Sequence, residues 1–509
     1  MRRRRGALVA SAVVTAVVTL TAMSGCTSAS TSSSTGAAAQ GGSKDTLTLG
    51  MTADITTNYL ETPPYQGWAG DALYDTLIQT DALGKPQPRA AEKWEFNAGN
   101  TGATVHLRSG VKFSDGTAVD SAAVKASYEY AATKNARFAG VKIATPDPQT
   151  AVITFPKPQP LLAIKLGEVR ITTPKAIASG TLNDSAVGSG PYTLDTAATT
   201  RGSVYTFTKN ESYWDTKTYP YKKLVMKVIT SNTAAVNALK TGQIDGSLIE
   251  SSTYNEATGS GLKIQALKGR TTRLLLTDHL GKKIPALGNA DVRRAMNMVF
   301  DKDTMAKNLY QGHAEPASQI FRPGSTAYVD EMQDPYPYNV DAAKALMAKA
   351  GYANGFTLEI PFMQGQGLEP LIPVVTQQLG LLNIKVKQVT LSGPNAIADL
   401  LSGKFPVPFW QLGNYGESLQ DISDYVLPDG IWNVSPEPGA TVAKHWDQIL
   451  TGNDHQKADA QKAINRYIVE QAWFVPMVYP EGFYAYNAKL NVKPSSDFSA
   501  LHPLLRDFQ

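Results

Sequence analysis

Cysteine is almost missing from this chain: Cys26 is the single one among 509 residues. No intramolecular disulfide can form, and a paired-cysteine metal or redox site is excluded. Histidine is sparse as well. His106, His279, His313, His445, His455 and His502 are scattered without the paired spacing of a zinc helix, so neither a metal nor a cofactor is expected. HExxH, GxSxG and P-loop motifs are absent, which leaves a secreted hydrolase without its machinery, and the chain is expected not to be an enzyme. An excess of charge of one sign is lacking too. The 48 basic residues face 44 acidic ones, but Arg2, Arg3, Arg4 and Arg5 crowd the N-terminus, and removing those four leaves 44 against 44. With no Lys/Arg run after residue 5, nothing favours nucleic acid as a partner. No repeat of solenoid length appears.

What is present begins with an export signal. Arg2 to Arg5 form a positive n-region, and Ala7 to Ala22 form an uncharged, mostly apolar segment, short for a bilayer span of ~20 residues. Residues 1–25 are therefore expected to be removed. Met23-Ser24-Gly25-Cys26 resembles a bacterial lipobox, with methionine where leucine is usual. It marks Cys26 for lipidation, placing the chain on the outer face of the cell membrane, held by its lipid anchor. Residues 26–44, rich in Ser, Thr, Ala and Gly, read as a flexible stalk. The body is long enough for two or three domains, and its 42% apolar residues can fill their cores.

Along the body, Thr46 to Gly50 alternates as a strand, and Glu92 to Leu107 reads as a hairpin turning at Asn97 to Gly102. Ala151 to Phe155 is another short strand. Helix and strand then alternate. Ser231 or Asn232 caps a helix carrying Val236 and Leu239, Gly242 supplies its left-handed exit, and Ile244 to Ile249 returns as a strand. Asp291 caps a helix with Val292, Ala295, Met296 and Val299 on one face, and Asn339 or Asp341 starts another that stops at Gly351. Phe356 to Ile360, Leu371 to Leu382 and Ile384 to Val389 repeat strand, helix, strand. The pattern is that of an α/β protein with mixed sheets.

Leu107-Arg108-Ser109-Gly110-Val111-Lys112-Phe113-Ser114-Asp115-Gly116, followed by a helix with Asp120 and Val124, closely resembles the signature of the family 5 extracellular solute-binding proteins, the peptide and nickel group that serves ABC importers. Val187-Gly188-Ser189-Gly190-Pro191-Tyr192, Asn210 to Trp214, Thr241 to Asp245 and Val292-Arg293-Arg294-Ala295 follow in the family's order. Ser114-Asp115-Gly116 itself reads as a tight turn with an architectural role.

The resemblance implies a two-lobed periplasmic-binding-protein-like α/β fold, with a two-stranded hinge and a β-rich subdomain inserted in lobe 1. On that plan residues 45–84, 190–276 and 485–509 form lobe 1, 85–189 the insertion and 277–484 lobe 2, with crossings near Leu274 to Asp278 and Tyr479 to Tyr486. It further implies a monomer that closes over a peptide or peptide-like solute and delivers it to the permease and ATPase subunits of an importer. A sugar oligomer or a metal chelate is the alternative cargo on the same fold.

Candidate ligand contacts follow from the same plan. Phe409 to Tyr415 aligns with the family segment in which a tryptophan precedes an acidic residue that pairs with the α-amino group of a peptide. Trp410, Gln411, Asn414 and Tyr415 are accordingly candidates, but the acidic position here reads Gly413 or Asn414, and a neutral amide does not compensate a desolvated ammonium as a carboxylate does. Asp421 and Asp424 are the nearby carboxylates. Tyr59, Tyr65 and Trp68 lie in the loop after the first strand, where open α/β sheets place ligand groups. Gln364 and Gln366 lie in a second such loop, and Arg273 and Tyr484 lie near the expected crossings.

Overall fold

Thr46–Met51 turns Leu47, Leu49 and Met51 to the interior, each side chain contributing ~1.5–3 kcal/mol when fully buried. Its edges pair in parallel with Lys223–Val228 and Gly246–Ile249, and Asn232–Lys240 is the crossover helix between those two neighbours. The Ser231 hydroxyl caps that helix by accepting from Ala234 N, and Gly242 leaves it at φ 71°, as its sequence implies. The full sheet has seven strands in the order Lys263–Leu267, Gly482–Tyr486, Gly246–Ile249, Thr46–Met51, Lys223–Val228, Val204–Lys209, Tyr192–Leu194. The structure is a computed structural model that describes residues 45–62, 68–81, 85–364, 367–393, 395–413, 418–428, 430–433, 439–494 and 502–509.

A second body is inserted in this first one, which we call lobe 1. Ala91–Phe96, Gly102–Leu107, Thr150–Thr154 and Lys142–Asp147 form an antiparallel sheet in that spatial order, and helix Ser121–Lys134 packs on it. The tight turn at Ser114 to Gly116 closes through the Asp115 carboxylate, which accepts from Thr117 N and Oγ1. Gly116 sits at φ 85°. Val111 and Phe113 thereby join Val124 and Ile153 in the core of the insertion. Ser114 N donates to Gly188 O, tying the turn to the Gly188-Ser189-Gly190 segment. A Cβ on Gly188 would fall 1.9 Å from Leu73 O, so only glycine fits where the two bodies meet.

Lobe 2 carries a four-stranded sheet in the order Ala314–Pro316, Phe474–Pro480, Arg270–Leu275, Phe409–Gly413, and a parallel pair, Thr357–Met363 with Lys385–Leu391. Two clusters fill it, one around Val292, Met296 and Leu358, the other around Phe321, Ile422 and Ile464. Asn383, at φ 61°, makes a left-handed bend that asparagine enters more readily than most residues. Helix Ala290–Met298 differs in one detail from its sequence reading: Asn289, not Asp291, is the cap and accepts from Asp291 N. Asp291 lies in the first turn and pairs with Arg294 and Lys349, where its charge also complements the helix dipole.

The chain passes between the two sheets twice. Lys263–Leu267 belongs to the lobe 1 sheet and Arg270–Leu275 to the lobe 2 sheet, so the first passage lies at Lys268-Gly269, ahead of the Leu274 to Asp278 stretch expected from sequence. Gly269, at φ 146°, makes the bend in a conformation open mainly to glycine, whereas Leu274 sits fully buried inside a lobe 2 strand. The second passage lies between Pro480 and Gly482.

Candidate functional site

A cavity of about 600 Å³ lies in lobe 1, walled by the loop at Thr57 to Thr62, helix Ser121–Lys134, helix Leu162–Gly167 and residues 502–506. Its charged walls are matched internally. Arg170 reaches Asp71 at 2.9 Å and donates to the carbonyls of Leu60 and Thr62, which fixes the loop. Arg89 pairs with Asp75 at 2.5 Å, and Asp75 also accepts from Trp214 Nε1. Tyr130 Oη donates to Glu61. Burial pushes the Tyr130 hydroxyl up to about 12.

One wall residue is linked to lobe 2. Glu168 pairs at 3.0 Å with Arg137, in the short turn Ala136–Phe138, and Arg137 also stands 3.7 Å from Asp424, on the lobe 2 helix Ser418–Tyr425. Asp424 is almost fully buried and accepts from Gln420 Nε2 at 2.8 Å. Burial raises both carboxyls above their ordinary range, and the Arg137 charge opposes that rise. Two carboxylates from different lobes thus share one guanidinium.

Beside Asp424, Tyr425 lays its ring over the Arg273 guanidinium at 4.1 Å, with Phe474 at 5.9 Å. Trp410 is the cross-strand partner of Arg273, and its ring packs on Trp432 at 5.4 Å. Arg273 is fully buried, and Nε, Nη1 and Nη2 have no hydrogen-bond partner among the described residues.

The residues nominated from sequence separate in space. Arg273, Trp410, Gln411, Asp421 and Asp424 come together on adjoining lobe 2 elements, with Gln411 Oε1 accepting from Thr272 Oγ1. Tyr59, Trp68 and Tyr484 are instead packed in the lobe 1 core: Tyr59 lies under Arg201, and Trp68 donates from Nε1 to Pro503 O and meets Tyr484 edge to face. None of the three lines the cavity, because each ring is used to fill the interior around the sheet. Gln364 N donates to Leu391 O at the end of its strand. Tyr65, Gln366, Asn414, Tyr415 and the lipidation candidate Cys26 lie outside the described residues. Sequence reasoning missed Arg137, Glu168 and Arg170. In one dimension they are ordinary charged residues, and only the fold brings them to the cavity and to Asp424.

Two α/β bodies connected by two chain passages, with a solute-sized cavity in the first, have the architecture of a two-lobed solute-binding protein. Residues 85–429 match the model of the bacterial extracellular solute-binding proteins, family 5 (middle), and the chain belongs to that family, the extracytoplasmic solute receptors of ABC importers. Among its relatives, the glutathione-binding protein of Escherichia coli (strain K12) is 25% identical over 484 residues, covering 87% of this chain and 92% of that one. Heme-binding protein A of Haemophilus influenzae is 24% identical over 448 residues, covering 78% and 79%. Among solved structures, the binding protein AgaA of A. tumefacien R10 in complex with agropinic acid superposes with a TM-score of 0.80 at 23% identity, covering 91% of this chain and 98% of that one.

Proposed function

We propose that this protein captures a peptide-like solute of a few residues where its lobes meet and hands it to an ABC importer, tethered to the outer face of the membrane through lipid on Cys26. The observation that carries the reading is the Arg137 bridge. It joins Glu168, on the wall of a cavity of about 600 Å³, to Asp424 on the facing lobe, so the approach of the lobes is registered at the cavity itself. That volume is in the range of small-molecule sites, ~300–1,000 Å³. A relative that binds glutathione, itself a peptide, agrees with this cargo.

Thermal melting against di- to pentapeptides and glutathione tests the reading. A ligand that binds only the folded state adds ~2.7 kcal/mol of stability at a hundredfold excess over its Kd, an upward shift of a few degrees. No shift with any of these peptides would count against a peptide cargo. Radiolabelled palmitate entering the wild type but not Cys26→Ala would support the anchor, and equal labelling would refute it.

A further inference from the structure

Resting on that solute-binding reading, we propose that Arg273 is the receptor for a carboxylate of the solute, so that the cargo is an acid-bearing molecule. A guanidinium carries five N–H donors in one plane. At Arg273 the aromatic neighbours Tyr425 and Phe474 approach as ring systems, and an aromatic ring attracts the cation without accepting its N–H bonds as an oxygen does. Among the described residues all three nitrogens are left without an acceptor, in a fully buried position.

The contrast with Arg293 shows that this fold meets a buried guanidinium when the role is structural. Arg293, also in lobe 2 and 3% exposed, donates to the carbonyls of Gln471, His279 and Leu287. Among the described residues no such carbonyl serves Arg273. A planar, two-oxygen acceptor is the chemical complement of the unmet edge, and a carboxylate supplies it with two parallel hydrogen bonds.

Position supports the assignment. Arg273 follows the first passage between sheets by only a few residues, and the ring that covers it belongs to Tyr425, next in sequence to Asp424, which Arg137 holds from the other lobe. Arg273 lies outside the lining of the lobe 1 cavity, so a solute that takes the guanidinium must displace or slide under Tyr425, and binding there acts on the same helix that the Arg137 bridge holds. Acid recognition and the contact between lobes then share one element.

The test uses the protein purified in the form the cell accumulates, as wild type, Arg273→Met and Arg273→Lys. Free of solute, Arg273→Met should melt several degrees above wild type, because it removes a buried charge that the protein leaves unmet. A lower melting temperature would overturn the proposal by showing that the guanidinium is already compensated. Binding is read by calorimetry with glutathione as the free acid and as the dimethyl ester, and with L-alanyl-L-alanine as the free acid and as the methyl ester. The wild type should favour an acid over its ester at least tenfold, Arg273→Met should lose that preference, and Arg273→Lys should keep only part of it. Acid and ester binding alike to wild type and to Arg273→Met would sink the carboxylate receptor and leave solute binding standing. If no probe binds the wild type and Arg273→Met also melts lower, both readings fail together; a higher melting temperature without probe binding counts against these peptides as cargo while sustaining the unmet charge.

Discussion

At the scale of single residues, burial decides what each charged or aromatic group can do. Trp410 is 8% exposed and packed between Arg273 and Trp432, so Trp410→Ala removes core volume as well as a candidate contact. The expected loss is ~3–5 kcal/mol of stability in chemical denaturation, as for other buried aromatics cut to alanine. An unchanged midpoint would show that Trp410 contributes nothing to the core. Lys302 shows the same principle with a charge. Its Nζ is buried at the start of helix Lys302–Leu309 with no hydrogen-bond partner among the described residues, and burial lowers its pKa from 10.5 to about 8. The folded state therefore releases a proton that the unfolded chain keeps, and stability is lost as pH falls through about 8. Lys302→Met should stabilise by on the order of 3 kcal/mol at neutral pH, with the gain vanishing toward pH 10.5. A gain that does not change with pH would contradict the charge as its cause.

At the scale of elements, helix Ser418–Tyr425 is the connecting piece. Its Asp424 faces Arg137, with Glu168 and Lys165 nearby and Gln420 alongside, while Tyr425 covers Arg273. Because burial raises the carboxyls of Asp424 and Glu168, the folded state holds protons that the unfolded chain gives up in the ordinary carboxylate range. The stability tied to those protons is complete below that range and is lost as pH rises through the raised values. Asp424→Asn should flatten part of the fall in melting temperature as pH rises above the ordinary carboxylate range. An identical pH profile in the variant would remove Asp424 from the account. Arg137→Met alone leaves Asp424 buried without its cation and should destabilise by ~3–5 kcal/mol, whereas adding Asp424→Asn should recover most of that loss. Additive effects in this double-mutant cycle would mean that the two residues do not interact.

At the scale of the whole molecule, the sequence carried more of the architecture than of the site. The signature turn around Asp115, the capped crossover helix after Ser231 and the parallel pair around Asn383 are set by local rules: a turn needs its glycine, a helix its cap, a strand its alternation. The sequence places the first passage too late because nothing in Arg270–Leu275 marks a change of sheet, and only strand pairing shows that Gly269 is where the sheet changes. Site residues were harder still. Tyr59, Trp68 and Tyr484 look like ligand aromatics in one dimension, yet the lobe 1 core consumes them. Arg273 was visible as a candidate, but its meaning rests on the acceptors it lacks, and no sequence pattern records a missing hydrogen bond. The claim on which the rest depends is that the protein holds a small solute where its lobes meet. Native mass spectrometry of the protein as purified, without unfolding, tests it most directly. The account predicts a one-to-one adduct of a small acid-bearing molecule in the wild type that is absent from Arg273→Met. A bare wild-type protein whose melting temperature also stays fixed through the peptide panel would contradict it.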